Sequence, residues 1–217
     1  MNKNKKVWIP ALIAVASALI LLAYYYYTKF AHGGQLLPGL QGVEQGRLQE
    51  DMRHSSEGDN NGYGGYFSTL GTIALYSAAA AFSWFWFKKK LKSPSTIVRK
   101  AGKLLYSIHK LLGWVTLLLI GVHGTFYLIT KLHDDNIYTG LASFAIILTL
   151  VGYGYFINKV RNKWMRTVHR SLGILWVPVL LLHAGGSTII AVIASLAVGG
   201  LVWVFERSAR QANQPIP

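Results

Sequence analysis

Long apolar stretches alternate along the chain with short polar stretches that are mostly basic. A helix needs about 20 predominantly apolar residues to cross the hydrocarbon core of a bilayer. Six stretches meet this requirement, at 7–30, 66–87, 104–130, 138–157, 167–185 and 187–205. The pattern therefore predicts an all-α, polytopic membrane protein, in which a bundle of about six transmembrane helices forms a single domain over 1–217.

Three segments have boundaries that hydropathy alone does not determine. The first apolar stretch follows "MNKNKK" and is longer than the apolar part of a secretory signal, so it is interpreted as an uncleaved anchor. The segment 31–65 is rich in Gly, Asn, Asp and Glu and is predicted to be an outer loop, because it is too short and polar to enclose a core. Only "AGGST" separates the last two stretches, so one long bent helix is the alternative there.

The distribution of charge predicts the orientation. The formal net charge is +14, and 18 of the 22 Lys and Arg residues lie in 1–8, 88–110, 158–170 and 206–217. All acidic residues except Glu206 lie in the intervening polar segments. The positive-inside rule then places the N- and C-termini in the cytoplasm of a multi-pass cell-membrane protein surrounded by membrane lipid. Because the basic residues flank apolar segments, the charge indicates topology and no nucleic-acid partner.

The chain contains no cysteine, although 52% of its residues are hydrophobic. This excludes disulfides, zinc–thiolate sites, iron–sulfur clusters and haem attached through a C-x-x-C-H motif. Any haem in this protein would be bound without a covalent link.

Four histidines stand inside two of the apolar segments at one spacing. His109 and His123 are fourteen residues apart, and so are His169 and His183. Fourteen residues of α-helix turn through about 1400°, some 40° short of four turns, and rise about 21 Å. Each pair therefore shares one face of its helix at two levels. Ionisable side chains within membrane helices indicate function by default.

The two histidine helices are separated by one helix, so they run parallel. We therefore expect His109 to lie level with His169 near the cytoplasmic end, and His123 level with His183 nearer the outer end. Two facing imidazoles suit both axial positions of one haem iron. The four histidines are thus predicted to ligate two non-covalent b haems, whose filled axial positions favour electron transfer over oxygen binding.

Neighbouring residues support this hypothesis. Gly113 and Gly173 each follow the first histidine of their helix by four residues and leave room for a flat macrocycle, although close helix packing is an alternative explanation. Basic residues at the cytoplasmic ends of the same helices are candidates for binding the haem propionates, and the positive-inside bias explains them equally well. They are Lys110 and Arg170, together with Lys103 and Arg166.

The two segments "YSIHKLLGWVTLLLIGVHGTFYL" and "RTVHRSLGILWVPVLLLHAGG" resemble the histidine helices of the ferric reductase-like transmembrane domain. That family includes NADPH oxidases, iron reductases and bacterial haem-b membrane subunits. The resemblance covers about 104–186 and otherwise rests on topology. It implies transmembrane electron transfer through two stacked b haems, from an inner donor to an outer acceptor.

The 217 residues include no flavin and nicotinamide domain of the kind that larger family members carry. The electron donor is therefore expected to be a separate flavoprotein, a quinol or a small reductant. The acceptor is expected outside, as an extracytoplasmic redox protein, oxygen or ferric iron. His54 and "HDD" at 133–135 lie near many carboxylates that could attract ferric ions, although the positive-inside bias explains these acidic outer loops more readily. Two alternatives remain at this stage: a quinone-linked cytochrome b subunit of a larger respiratory oxidoreductase, and a haem carrier without redox turnover.

Overall fold

The computed structural model describes residues 5–33, 63–132, 134, 136–160 and 162–212. A short 3-10 helix, Lys5–Trp8, precedes six α-helices, which are α1 (Ile9–Gly33), α2 (Tyr63–Phe87), α3 (Thr96–Thr130), α4 (Asn136–Phe156), α5 (Lys163–Ala184) and α6 (Gly186–Ala212). These ranges contain no strand. Each of the six helices is long and apolar enough to cross a membrane, so the predicted all-α fold with six spans is confirmed. Most of the predicted outer loop 31–65, with His54, lies outside the described residues.

Polar side chains set where three of the helices begin. Ser95 caps α3 by accepting the amide N–H of Val98, which starts this helix eight residues before the predicted span. Its 35 residues extend about 52 Å, which exceeds the roughly 30 Å apolar core of a bilayer. Asp134 and Asn162 accept amide N–H groups in the same way at the starts of α4 and α5.

The boundary between the last two apolar stretches is a true break. Gly185 has a φ of 51°, a left-handed conformation that glycine adopts without steric cost. Its N–H donates to the carbonyl of Leu181 at 3.1 Å and closes α5, and α6 starts at the next residue. The chain reverses direction there, so the alternative of one bent helix is wrong.

Five helices form a closed ring. The order of packed neighbours is α2, α3, α4, α5, α6 and again α2, while α1 packs on the outside of α4. The two histidine helices, α3 and α5, have little direct backbone contact and face each other across the ring. This ring of helices therefore keeps the backbones of α3 and α5 apart, so that only their side chains can meet.

Small residues face the bundle and large ones face outward. On α1 a stripe of alanines, Ala11, Ala14 and Ala18, is 2–6% exposed and allows α1 to approach α4 closely. On the opposite face Leu12 is 61% exposed and Ile20 is 68% exposed. This arrangement is compatible with helices that face lipid, where close packing joins the helices.

Both ends of the described chain lie at one end of the bundle. Trp8 packs against Trp164 at the start of α5, with ring centroids 5.9 Å apart. Glu206, near the end of α6, pairs with Lys90 in the turn after α2. Because consecutive helices alternate in direction, the end of α2 and the start of α5 lie at the same end of the bundle. We call this the inner end; its location in the cytoplasm stays a prediction from the charges.

Candidate functional site: two facing pairs of histidines

The four histidines meet in two pairs across the ring. The imidazole centroids of His109 and His169, the inner pair, are 6.2 Å apart. Those of His123 and His183, the outer pair, are 6.4 Å apart. In both pairs the ring planes cross at 81°. The pairing predicted from two parallel helices is confirmed, and the crosswise pairing of antiparallel helices is excluded.

The separation within each pair corresponds to one metal ion between two nitrogens. A metal–imidazole bond is about 2.0–2.1 Å long, and an aromatic ring with bonds of about 1.33 Å places each atom of a five-membered ring about 1.1 Å from its centre. Two rings that bind one ion from opposite sides therefore have centroids about 6.2–6.4 Å apart. A direct hydrogen bond of about 3 Å between the rings would bring the centroids to about 5.2 Å. Both measured separations agree with the first arrangement.

Each ring is held through its Nδ1 atom by a neighbouring helix. Three rings place Nδ1 next to a backbone carbonyl oxygen: His109 next to Ala81 at 3.0 Å, His123 next to Phe67 at 2.7 Å, and His169 next to Leu150 at 2.9 Å. The fourth, His183, has the hydroxyl oxygen of Thr139 at 3.1 Å. The ring orientations are therefore determined by α2 and α4 as well as by the helices that carry the histidines.

These contacts determine the tautomer of each ring. A carbonyl oxygen accepts hydrogen bonds and cannot donate one, so Nδ1 must carry the proton in the three carbonyl-bound rings. The neutral imidazole then has its free lone pair on Nε2. Metal-binding histidines in proteins are oriented in this way, with the second ring nitrogen donating to a carbonyl or carboxylate. The hydroxyl of Thr139 donates its own proton to the carbonyl oxygen of Asn136 at 2.8 Å, so it accepts from Nδ1 of His183. All four rings are thus prepared to bind an ion through Nε2.

The helices that orient the rings repeat the fourteen-residue spacing. Phe67 and Ala81 on α2 are fourteen residues apart, as are Asn136 and Leu150 on α4, where the carbonyl of Asn136 adjoins the His183 ring. The ladder of two levels therefore involves four helices. No sequence pattern indicated that α2 and α4 hydrogen-bond the histidines, because every residue carries a backbone carbonyl group.

Three glycines admit the rings to these carbonyls, and each stands four residues after the residue that supplies the carbonyl. A Cβ atom would lie 2.7 Å from Cε1 of His123 at Gly71, 3.0 Å from Cε1 of His183 at Gly140, and 3.2 Å from Cε1 of His169 at Gly154. Sequence reasoning missed all three. The signal that would have found two of them is the fourteen-residue interval between Gly140 and Gly154 in the helix between the histidine helices.

Of the two glycines predicted from sequence, one borders open space. A Cβ atom on Gly113 would meet no atom within 4 Å, whereas Gly173 is buried and a Cβ atom there would contact Cδ1 of Leu150 at 3.9 Å. The room beside the inner pair therefore lies at Gly113 on α3. Pro178 lies inside α5, which continues through it to Ala184.

The predicted basic residues are exposed at the inner end. Lys110 and Arg170 directly follow the two inner histidines, and both side chains are exposed. Arg170 is also close to Lys88, which follows α2. The pKa of Lys88 is lowered, first by partial burial and then by the positive charge of Arg170. Lys88 is a cation of this region that the sequence did not single out.

Between the two pairs the bundle is packed, and its polar side chains are hydrogen-bonded to one another. Trp176 stands seven residues from each histidine of α5 and is buried. Its Nε1–H donates to the hydroxyl oxygen of Ser143 on α4 at 2.8 Å and to the carbonyl oxygen of the same residue at 3.1 Å. These bonds fix the indole ring between the two levels.

Within the described ranges no three His, Asp or Glu side chains come together where they could hold a metal ion. Each histidine pair therefore offers two protein ligands. His133 and Asp135, part of the predicted outer iron site, lie outside the described residues. In comparisons with protein-family models, curated proteins and solved structures, nothing matched this chain.

Proposed function

We propose that the chain transfers electrons across the cell membrane by holding two b haems, one between the inner pair of histidines and one between the outer pair. A haem bound by two histidines supplies one-electron chemistry and leaves no axial position for another ligand. The observation that carries the proposal is the ring separation of 6.2 and 6.4 Å in two pairs with Nε2 free. This is the length expected for one ion held between two imidazoles.

Haem explains the two-ligand sites better than a bare ion does. Structural zinc takes about four protein ligands in a tetrahedron, whereas each pair here supplies two rings. A porphyrin fills the remaining four positions and needs flat space beside the ligands. The open space at Gly113 supports this at the inner pair. Without cysteine, the four histidines and the packing around them would hold the group.

The positions of the pairs suit transfer across a membrane. The two levels are about 21 Å apart along the helices, which is most of the roughly 30 Å apolar core of a bilayer. The inner pair lies near the basic inner end, where Lys110 and Arg170 remain the candidates for the propionates, now joined by Lys88. A separate flavoprotein or a quinol is the proposed donor, and an extracytoplasmic redox protein or ferric iron is the proposed acceptor.

This proposal makes the protein similar in function to ferric reductase-like transmembrane domains, as an oxidoreductase or as the electron-transfer subunit of one. A quinone-linked cytochrome b subunit would use the same two sites with another donor. Adding quinol to the purified protein in lipid vesicles separates the two functions. Rapid reduction of the haems by quinol would favour the respiratory subunit, and reduction only by a flavoprotein would favour the reductase.

The test is a reduced-minus-oxidised absorption spectrum of the purified protein, with a count of haems per chain. Two b haems are expected. His123→Ala and His183→Ala should each remove the same haem, and His109→Ala and His169→Ala should each remove the other. His54→Ala, outside the ladder, is the control and should retain both. A wild-type protein without haem, or a loss that couples His109 to His183, would show the proposal to be wrong.

A further inference from the structure

A groove with a volume of about 360 Å³ lies between α1 and α4, on the outside of the ring of helices. Ile13 is 61% exposed and Leu148 is 51% exposed, so the groove is open to the surroundings of the bundle. Small-molecule pockets have volumes of about 300–1,000 Å³ and combine an apolar lining with few polar groups. The lining here has that character and consists of Pro10, Ile13, Ala14, Ser17, Ala145, Leu148 and Thr149. In a bilayer the groove would open to the hydrocarbon, so its ligand would arrive from the membrane.

The groove is level with the inner pair of histidines. Thr149 lines it, and the carbonyl oxygen of the next residue, Leu150, lies 2.9 Å from Nδ1 of His169. On α1 the lining begins at Pro10, the second residue of that helix, near the inner end of the bundle. The groove therefore adjoins the inner site and not the outer one.

One helix separates the groove from the His169 ring. Ala145 and Gly154 are nine residues apart on α4, which is about 900° or two and a half turns, so they lie on opposite faces of the helix. Ala145 lines the groove, whereas Gly154 adjoins His169. An α-helix with its side chains is about 10–12 Å across. The backbone from Thr149 to the Leu150 carbonyl and one hydrogen bond thus connect the groove to a ring of the inner pair.

The polar groups in the lining are two hydroxyls, and they suit a quinol. The hydroxyl of Thr149 donates its proton to the carbonyl oxygen of Ala145 at 2.8 Å, so its own oxygen can accept a hydrogen bond. The hydroxyl of Ser17 can donate or accept. A quinol hydroxyl needs an acceptor, and the carbonyl that replaces it in the quinone needs a donor. A lipid phosphate would instead need a cation, and none of the seven lining residues is basic.

We propose that this groove binds the quinol that donates electrons to the inner site, with the Thr149 oxygen accepting from a quinol hydroxyl and the apolar lining holding the ring and the start of the tail. The inference rests on the proposed function and assigns the class of donor and its place of binding. Oxidation of one quinol to its quinone releases two electrons and two protons. The electrons cross α4 one at a time, and each reduces one ferric iron at the inner site to the ferrous state. The protons pass to the water at the inner end.

The first test measures binding without any electron transfer. A decylquinone that carries a photoreactive azido group is added to the full-length protein in lipid vesicles, and the labelled peptides are identified by mass spectrometry after illumination. Label is expected in 10–17 and 145–149. An excess of unmodified decylquinone should abolish it, whereas an excess of decylbenzene, which has the tail but no quinone, should not. Labelling of other segments alone, or equal competition by decylbenzene, would overturn the inference in favour of a groove that holds only hydrocarbon chains.

The second test measures how fast decylquinol reduces the haems, by rapid mixing and absorption. Ala145→Phe places a phenyl ring in the groove and should abolish the saturable reduction. Thr149→Val removes the acceptor and should raise the half-saturating quinol concentration by about 2–12-fold, as expected for one lost hydrogen bond, while Thr149→Ser should restore it. Ala16→Phe is the matched control, because Ala16 is exposed on α1 but does not line the groove.

Dithionite reduces haem without a quinol site, so it should act on every variant at the wild-type rate, and every variant should retain two haems. Wild-type kinetics with decylquinol in both Ala145→Phe and Thr149→Val would contradict the inference, and so would a wild-type protein whose haems decylquinol does not reduce. In either case the two haem sites would stand. A wild-type protein that binds no haem would instead overturn the proposed function, so the two failures are distinguishable.

Discussion

Gly71→Ala tests whether the histidine ladder depends on helices that carry no histidine. The added Cβ atom would lie 2.7 Å from Cε1 and 2.8 Å from Nδ1 of His123. Carbon atoms in contact are normally about 3.5–4.0 Å apart. The added Cβ atom is bonded to the backbone of α2, which cannot move away easily. The imidazole of His123 would therefore have to move by about 1 Å.

A displacement of this size would break the hydrogen bond from Nδ1 of His123 to the Phe67 carbonyl, now 2.7 Å long, since contacts beyond about 3.5 Å no longer qualify. A buried donor left without a partner costs about 1–3 kcal/mol, which is roughly 5–150-fold in affinity. Loss of a partner behind a metal-binding histidine typically weakens metal binding by about 10–100-fold. We therefore expect Gly71→Ala to weaken binding of the outer haem by about 10–100-fold and to leave the inner haem in place.

The assay is the rate at which haem leaves the purified protein for an excess of a haem-scavenging protein, together with the haem count. Gly121→Ala is the matched control, because Gly121 lies two residues before His123 and a Cβ atom there meets nothing within 4 Å. That variant should keep both haems. Retention of the outer haem in Gly71→Ala at wild-type affinity, or an equal loss in Gly121→Ala, would refute the reasoning.

Three further predictions use other parts of the bundle. Gly140→Ala should weaken binding of the outer haem, and Gly154→Ala should weaken binding of the inner haem by a smaller factor, because the added Cβ atom would lie 3.0 Å from the His183 ring and 3.2 Å from the His169 ring. The rate of haem dissociation from each variant checks this order. Because the chain lacks cysteine, Thr96→Cys at the exposed inner start of α3 should resist a membrane-impermeant maleimide in intact cells, and Leu132→Cys should react; the opposite result would reverse the orientation. Glu206→Gln, which weakens the pairing of a carboxylate that is 6% exposed, should lower the thermal unfolding temperature by an amount corresponding to about 1–3 kcal/mol while the haem spectrum is unchanged.

Much of the site followed from helix geometry alone. Fourteen residues return an α-helix to nearly the same face, so two histidines at that interval had to lie in line. Two such helices separated by one other helix had to run parallel, which paired His109 with His169 and His123 with His183. The structure agrees because each pair of histidines lies within one continuous helix, α3 or α5.

The break at Gly185 and the start of α3 after Ser95 were harder to predict from the sequence. Both depend on local backbone conformation and hydrogen bonds, which hydropathy does not register. The positive φ of Gly185 separates two apolar runs that hydropathy nearly joins. The Ser95 cap extends a helix through the basic residues before the apolar run, because helix formation does not require apolar side chains.

By itself the sequence determined that there are six apolar helices, that the histidines lie at two levels, and which imidazoles face each other. These results follow from the helical repeat and from the alternating direction of consecutive helices. Only the tertiary structure decided which neighbouring groups orient those rings. Carbonyl oxygens are present at every residue, and only packing selects those of Phe67 and Leu150 as partners. The hydroxyl of Thr139 likewise reaches the His183 ring because α4 packs on α5, and no pattern along the chain reveals that contact.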